Sequence, residues 1–264
     1  PSRFGDLTLT VDYWSIEQRN LVGILGGHNQ LLMDYYLRQV GSSNPNLVRA
    51  APTQQQIDDA TLAGLAPVGT LLSITDEYMN LQPRSSEGID YRLYYNLRNT
   101  PIGNFRWSLN VSQRLKLFQE ASDDHQILLD AVANGTISGV TVSGVEDLLR
   151  RNGRPEWKWS SSVTWSQGAW QAGLYSSYVS DFYDTTATQV STGDYWLVDD
   201  WLTHNLYVQY TFDGMGWADG TRLRIGARNI EDKDPPLTDD RFGYNGSVHS
   251  NRGRWWYVTI RKSF

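Results

Sequence analysis

The sequence predicts an all-β fold, the wall of a transmembrane antiparallel β-barrel, and three observations predict it. Apolar and polar residues alternate with period two, short and long connections alternate along the chain, and aromatic residues are abundant. The alternation opens in residues 6–14, where Leu7, Leu9, Val11 and Tyr13 interleave with Thr8, Thr10, Asp12 and Trp14. It returns in 89–97, where Ile89, Tyr91, Leu93, Tyr95 and Leu97 oppose Asp90, Arg92, Tyr94 and Asn96. It is clearest in 105–112, with Phe105, Trp107, Leu109 and Val111 against Arg106, Ser108, Asn110 and Ser112. Further strands are expected over 157–165, 170–183, 202–212, 221–229 and 254–264, and the alternation is poor only in the fifth of the eight.

The connections carry the second signal. Segments 98–103, 168–169 and 213–220 are short and marked by Gly or Pro, as turns are. Between them lie long insertions over 19–70, 119–153, 185–200 and 230–253. Turns at one end and long loops at the other are the pattern of a membrane barrel with periplasmic turns and extracellular loops. Compact domains rarely carry structureless connections beyond roughly 15 residues, so some of these loops must fold locally. Thr53 is placed to cap a helix over 54–65, and Ser143 with Glu146 reads as a capping box for a helix running to Arg151.

Composition agrees and excludes. Eleven Trp and fifteen Tyr in 264 residues supply the amphipathic rings that membrane interfaces collect. Mean hydropathy is −0.48, and no run approaches the roughly 18 apolar residues of a membrane helix, so any crossing is made by strands. A net charge of −6 without a Lys/Arg cluster argues against a nucleic-acid partner. No cysteine is present, so no disulfide framework is expected. His28, His125, His204 and His249 are scattered, without metal-ligand spacing, and read as loop or lumen polar residues. No serine sits in a recognisable catalytic arrangement. Asp232, Asp234, Asp239 and Asp240 crowd the last loop, but their spacing departs from a calcium-binding loop and Pro235-Pro236 interrupts it. An acidic surface loop is the expectation there, with no catalytic residue, cofactor or metal site.

The polar face presents Asp12, Asp90, Arg92, Arg106, Asn110, Lys158, Arg222, Arg224, Arg228 and Arg261, too many charges for a packed core. It is either the lining of a polar lumen or the wet outside of a soluble sandwich. Leu9, Val11, Leu109, Val111, Leu223, Ile225, Val258 and Ile260 then face lipid.

Residues 223–264 carry a resemblance. A strand ending in Gly226-Ala227-Arg228-Asn229 leads to Asp234-Pro235-Pro236, then to Arg252-Gly253-Arg254 and an aromatic strand stopping at Phe264. This resembles the end of TonB-dependent outer-membrane receptors. The Asp12-Tyr13-Trp14 step and the strand over 80–97 resemble earlier strands of that family. Lys262 and Thr259 depart from it, standing where an aromatic and a small residue are usual. The resemblance implies about 22 strands around a plug, so 1–264 would be roughly the last eight strands, with the plug and first strands absent from this chain. A complete eight-strand barrel of porin or adhesin type is the alternative, and a soluble carbohydrate-binding β module is a third.

The resemblance further implies a non-enzymatic receptor of the bacterial outer membrane. It would bind a scarce small-molecule ligand and import it with energy delivered through TonB, and its partners would include lipid and the barrel-assembly machinery. Trp256, Val258, Ile260 and Phe264 would form the assembly signal. Candidate ligand and lumen residues are Asp12, Asp90, Arg92, Arg106, Arg222, Arg224 and Arg228; candidate loop aromatics are Tyr35, Tyr36, Tyr183, Tyr195, Trp196, Phe242 and Tyr244. Aromatic faces stack on sugars or planar chelates. The arginine excess on the polar face favours an anionic solute such as a ferric siderophore.

Overall fold

The computed structural model describes residues 5–62, 64–214 and 216–263. Eight long strands form one sheet in chain order: β1 (Asp6–Gln18), β2 (Arg84–Thr100), β3 (Gly103–Gln119), β4 (Trp157–Gln167), β5 (Trp170–Val179), β6 (Trp201–Thr211), β7 (Thr221–Arg228) and β8 (Trp255–Lys262). From β3 onward every neighbouring pair is antiparallel. A two-residue strand, Glu146–Asp147, adds to β3. Among the described residues β1 and β8 are not paired with each other, so the sheet is open. That removes both the closed eight-strand barrel and the two-sheet sandwich.

Connection length segregates as the pattern requires. The turns joining β2 to β3, β4 to β5 and β6 to β7 are short, whereas β1 to β2, β3 to β4, β5 to β6 and β7 to β8 are joined by long segments. From β3 onward consecutive strands run in opposite directions, so there the two classes fall at opposite ends of the wall.

Register shows why alternation matters here. Rows run unbroken across six strands: Phe105–Trp165–Ala172–Val208–Ile225–Val258, and beside it Trp107–Val163–Leu174–Leu206–Ala227–Trp256. A soluble protein would bury such rows. Here they stand open, with Val258 63% and Ile260 71% exposed, and Leu9 on β1 is 65% exposed. Contiguous exposed apolar surface on this scale marks a surface that meets something other than water.

The opposite face has its own packing rule. The row Arg106–Thr164–Gly173–Tyr207–Gly226–Tyr257 alternates glycine with tyrosine. A Cβ on Gly226 would lie 2.6 Å from Tyr257 Cζ, and one on Gly173 would collide with the Tyr207 ring. Each ring lies over the bare backbone of the neighbouring strand, which fixes register where the sheet has no core beneath it.

The chain divides into two compact units, Ile16–Ser85 with Leu117–Leu148 and, separately, the remainder. The first holds the folded insertions: α1 (Gly27–Gln39), α2 (Gln54–Leu62), α3 (Asp123–Ala133) and two short ribbons, Leu21–Gly23 with Met79–Leu81 and Leu47–Arg49 with Leu71–Ile74. Its apolar core is Leu32, Leu128, Ala131 and Ile137. Its polar centre is Asp34, fully buried, which accepts from Arg38 at 2.9 Å and from the Asn44 N–H at 3.1 Å and pairs with Arg49 at 3.2 Å. Burial alone would raise the Asp34 pKa, but these donors outweigh it and hold the carboxyl below its ordinary value.

Several expectations are corrected. Thr53 and Gln56 do form a capping box at α2, but no helix runs from Ser143 to Arg151. Glu146 and Asp147 instead take ladder positions against Gln119 and Phe118. The fifth strand ends at Val179, not 183, because Phe182–Thr188 leaves the wall to pair with Tyr195–Val198. Its poor alternation has two causes: Ser176 sits on the apolar face to meet His204, and Val179 sits buried on the polar face. The expected strand over 254–264 reaches Lys262, and Phe264 lies outside the described residues.

Candidate functional site

The polar face is where the wall carries chemistry. Arg222, Arg224 and Arg228 project from β7 on the side of Gly226, opposite Leu223, Ile225 and Ala227. Arg224 donates from Nε and Nη2 to Gln209 Oε1 at 3.1 and 2.9 Å and lies 4.1 Å over the Tyr207 ring. Gln209 donates on to Gln171 Oε1 at 3.3 Å, and Gln171 donates to the Tyr207 hydroxyl at 2.9 Å. Arg228 lies 4.8 Å over Trp255. Among the described residues the contacts of these arginines are with neutral groups. Arg106 shares the face through the tyrosine–glycine row.

A second group lies across β2 to β5. Asp90 and Arg92 line a cleft of about 570 Å³ with Asn110, Ser112, Lys158, Ser160, Ser177 and, from the last loop, Ser247 and Val248. The structure thus brings Asp90 and Arg92 to one cleft and Arg222, Arg224 and Arg228 to one strand, while Asp12 stands exposed on β1. Lys158 belongs to the cleft, as the period-two reading of the polar face indicates, and Arg114 is its diagonal neighbour on the same face.

The loop aromatics do not form one surface. Tyr36 packs against the core of the helical unit, so it holds the loop together, whereas its neighbour Tyr35 is exposed. In the other unit Tyr183 carries Arg150 at 5.6 Å over its ring, and Trp196 donates to Leu237 O at 2.9 Å. Tyr195 opens the ribbon strand that carries Trp196, Phe242 is 76% exposed and Tyr244 half-buried. The ribbon and the last loop are tied at Asp184, whose buried carboxylate accepts from the Thr186 hydroxyl and N–H and from the Asp239 N–H. Burial pushes its pKa up, and the three donors outweigh that and lower it.

Of the histidines, His28, His125 and His249 lie in the long insertions, as expected, and only His204 departs from expectation. His125 is buried on α3 and bonded to Ser122 Oγ at 2.7 Å, and burial lowers its pKa. His204 is on the apolar face beside Ser176. His249 is buried between Phe182, stacked at 5.8 Å, and Trp201, edge-on at 5.5 Å, and neither ring nitrogen has a hydrogen-bond partner among the described residues. Its pKa falls to about 4, chiefly through burial and secondarily through the Lys158 cation. Asp232 is engaged by Arg254, and no cluster of three metal-ligating side chains exists among the described residues.

With this geometry in place, comparison with solved structures is decisive for the fold. A mutant of the ferric enterobactin receptor PfeA from Pseudomonas aeruginosa aligns over 98% of this chain and 29% of its own, with TM-score 0.51 and 12% identity. The fold is that of the barrel domain of TonB-dependent receptors. The FrpB iron transporter from Neisseria meningitidis (TM-score 0.47, 10% identity, 96% of this chain and 28% of that one) and the copper transporter OprC (0.48, 13%, 98% and 29%) align over similar spans. The chain spans less than a third of the length of these solved proteins. No protein-family model matches the sequence, and no curated protein matches it.

Proposed function

We propose that this chain is the C-terminal part of the barrel wall of an outer-membrane receptor that imports a scarce solute with energy delivered through TonB. The observation that carries the reading is the two-faced open wall: one face exposes apolar rows that water would not tolerate, and the other exposes arginines that have no counter-ion among the described residues. Lipid suits the first face and an aqueous lumen the second. The arginine excess favours an anionic solute, and a ferric siderophore or similar chelate is the class we assign. That PfeA, similar in fold, is named a ferric enterobactin receptor supports the assignment. The wall acts here as binding surface and conduit rather than as an enzyme. Its further partners would be outer-membrane lipid and the barrel-assembly machinery.

Growth of a deletion strain tests it. Loss of growth on one anionic iron chelate, restored by the intact gene, is the expected result. Loss of a neutral sugar with every iron source retained would overturn the solute class, and unchanged uptake of all solutes after TonB loss would overturn the energy coupling.

A further inference from the structure

A smaller cavity, of about 230 Å³, lies where β6, β7 and β8 meet the last loop. Two arginines line it: Arg228, which ends β7, and Arg252, in the segment returning to β8. One residue brings them together. Asn229 is buried with a left-handed backbone, φ 48°, a conformation asparagine tolerates better than most residues. Its side-chain amide ties both arms of the loop, donating to Lys233 O at 2.9 Å and to Arg252 O at 3.4 Å and accepting from the Lys233 N–H at 2.9 Å. Its own N–H is held by Asn205 Oδ1 at 2.9 Å, so the loop is pinned to β6 at the point where it leaves β7. Arg252 is thereby set against the same cavity as Arg228.

Neither arginine makes an ion pair among the described residues. Arg228 lies over the ring of Trp255, its direct cross-strand partner, a contact that orients a guanidinium without neutralising it. The carboxylates at the start of the loop are engaged elsewhere, Glu231 at 3.7 Å from His204 and Asp232 at 3.8 Å from Arg254. Trp201 and Trp255 supply aromatic walls, and the Trp201 indole N–H is already spent on Asp234 O at 3.2 Å. Thr203 and Ser250 bring hydroxyls to the lining. Ser250 Oγ accepts from the Arg252 N–H at 3.3 Å, which leaves its own proton to donate. Two cations in one concavity focus a positive field, and the oxygens of an oxyanion accept from both guanidinium groups together.

We propose that Arg228 and Arg252, between the rings of Trp201 and Trp255, bind an oxyanion, a carboxylate or phosphate group of the imported solute, at the loop end of the wall. This rests on the function proposed above and names where on this wall the anionic part of the solute is held. Liquid water occupies about 30 Å³ per molecule, so the cavity takes one such group with a few waters and not a whole chelate. The site therefore grips one end of the solute and leaves the rest to the lumen.

Arginine modification by phenylglyoxal, read residue by residue by mass spectrometry on the intact receptor in detergent, tests the site without the natural solute. Inorganic phosphate and benzoate are the probes, compared with chloride at equal ionic strength. Either probe should slow modification of Arg228 and Arg252 at least threefold and saturably, leaving Arg241, exposed on the same loop, unaffected. Arg252→Gln should abolish the protection of Arg228, and Arg252→Lys, which restores the charge, should recover part of it. Heat-modifiable gel mobility establishes that each variant is folded. Equal modification in phosphate, benzoate and chloride, or protection of Arg228 that survives Arg252→Gln, would overturn the proposal. The outcome is separable from the transport reading: saturable protection in a receptor whose deletion affects no anionic solute keeps the site and removes the function, and the converse removes the site alone.

Discussion

Replacing Ile225 by arginine gives the most direct measurement of which solvent the apolar face meets. Ile225 is 49% exposed, and its cross-strand neighbours Val208 and Val258 are 43% and 63% exposed, so that row offers an arginine no carboxylate. At a bilayer midplane an arginine on a barrel costs about 2 to 4 kcal/mol, falling to about 0 to 1 near the interfaces. In water the same change at a half-exposed position would cost little more than the packing of the isoleucine, about 1 kcal/mol. The control is Ser108→Arg, on the polar face opposite Ser162, where a cost below about 1 kcal/mol is expected. The assay is urea unfolding of the intact receptor in lipid vesicles, followed by heat-modifiable mobility. A difference near 3 kcal/mol between the variants corresponds to roughly a hundredfold change in the folding equilibrium. Equal stability of the two variants would refute the lipid assignment of the face.

Three other outcomes are expected. Deleting Phe264 from the full receptor should leave unfolded periplasmic protein, measured as lost membrane yield, with β8 residues Trp256, Val258 and Ile260 supplying the rest of the signal; normal yield would reject the carry-over from the family. The last loop should open as pH falls from about 6.5 towards 4, because across that window the opened segment takes up a proton that buried His249 refuses, while above it both forms are neutral. Hydrogen exchange over 245–251 reads this, and His249→Phe, which keeps the ring contacts with Phe182 and Trp201, should flatten the dependence. Thr53→Ala should weaken the start of α2 by about 1 kcal/mol, since it removes one half of the capping box with Gln56; unchanged exchange over 54–62 would contradict it.

The strands were legible because a wall with lipid on one side and water on the other must alternate, and nothing else in the chain repeats with period two. The eight segments appear in order, with ends moved by a few residues. Apart from the Thr53 capping box that starts α2, the loops were not legible, for a physical reason. Their elements are held by contacts far apart in sequence, such as the Asn29 amide donating to Ser143 O at 3.0 Å, and no local pattern encodes such pairings. Ser143 and Glu146 have the spacing of a capping box, but Gly144 intervenes in a left-handed conformation, and Glu146 also has positive φ. The local signal for a helix start therefore gave way to the backbone path that brings Glu146 and Asp147 to the edge of β3.

Candidate residues divide along the same line. Arg222, Arg224 and Arg228 could be read directly, since period two on one strand puts them on one face. Their partners could not: Gln209 and Tyr207 become the neighbours of Arg224 only through the register of β6 against β7. Charge compensation is thus a property of strand order rather than of the alternating pattern, as Arg114 shows. On its own strand it is one more polar residue after Ser112. Only the pairing of β3 with β4 reveals that Glu156 lies opposite it, with Lys158 on the diagonal.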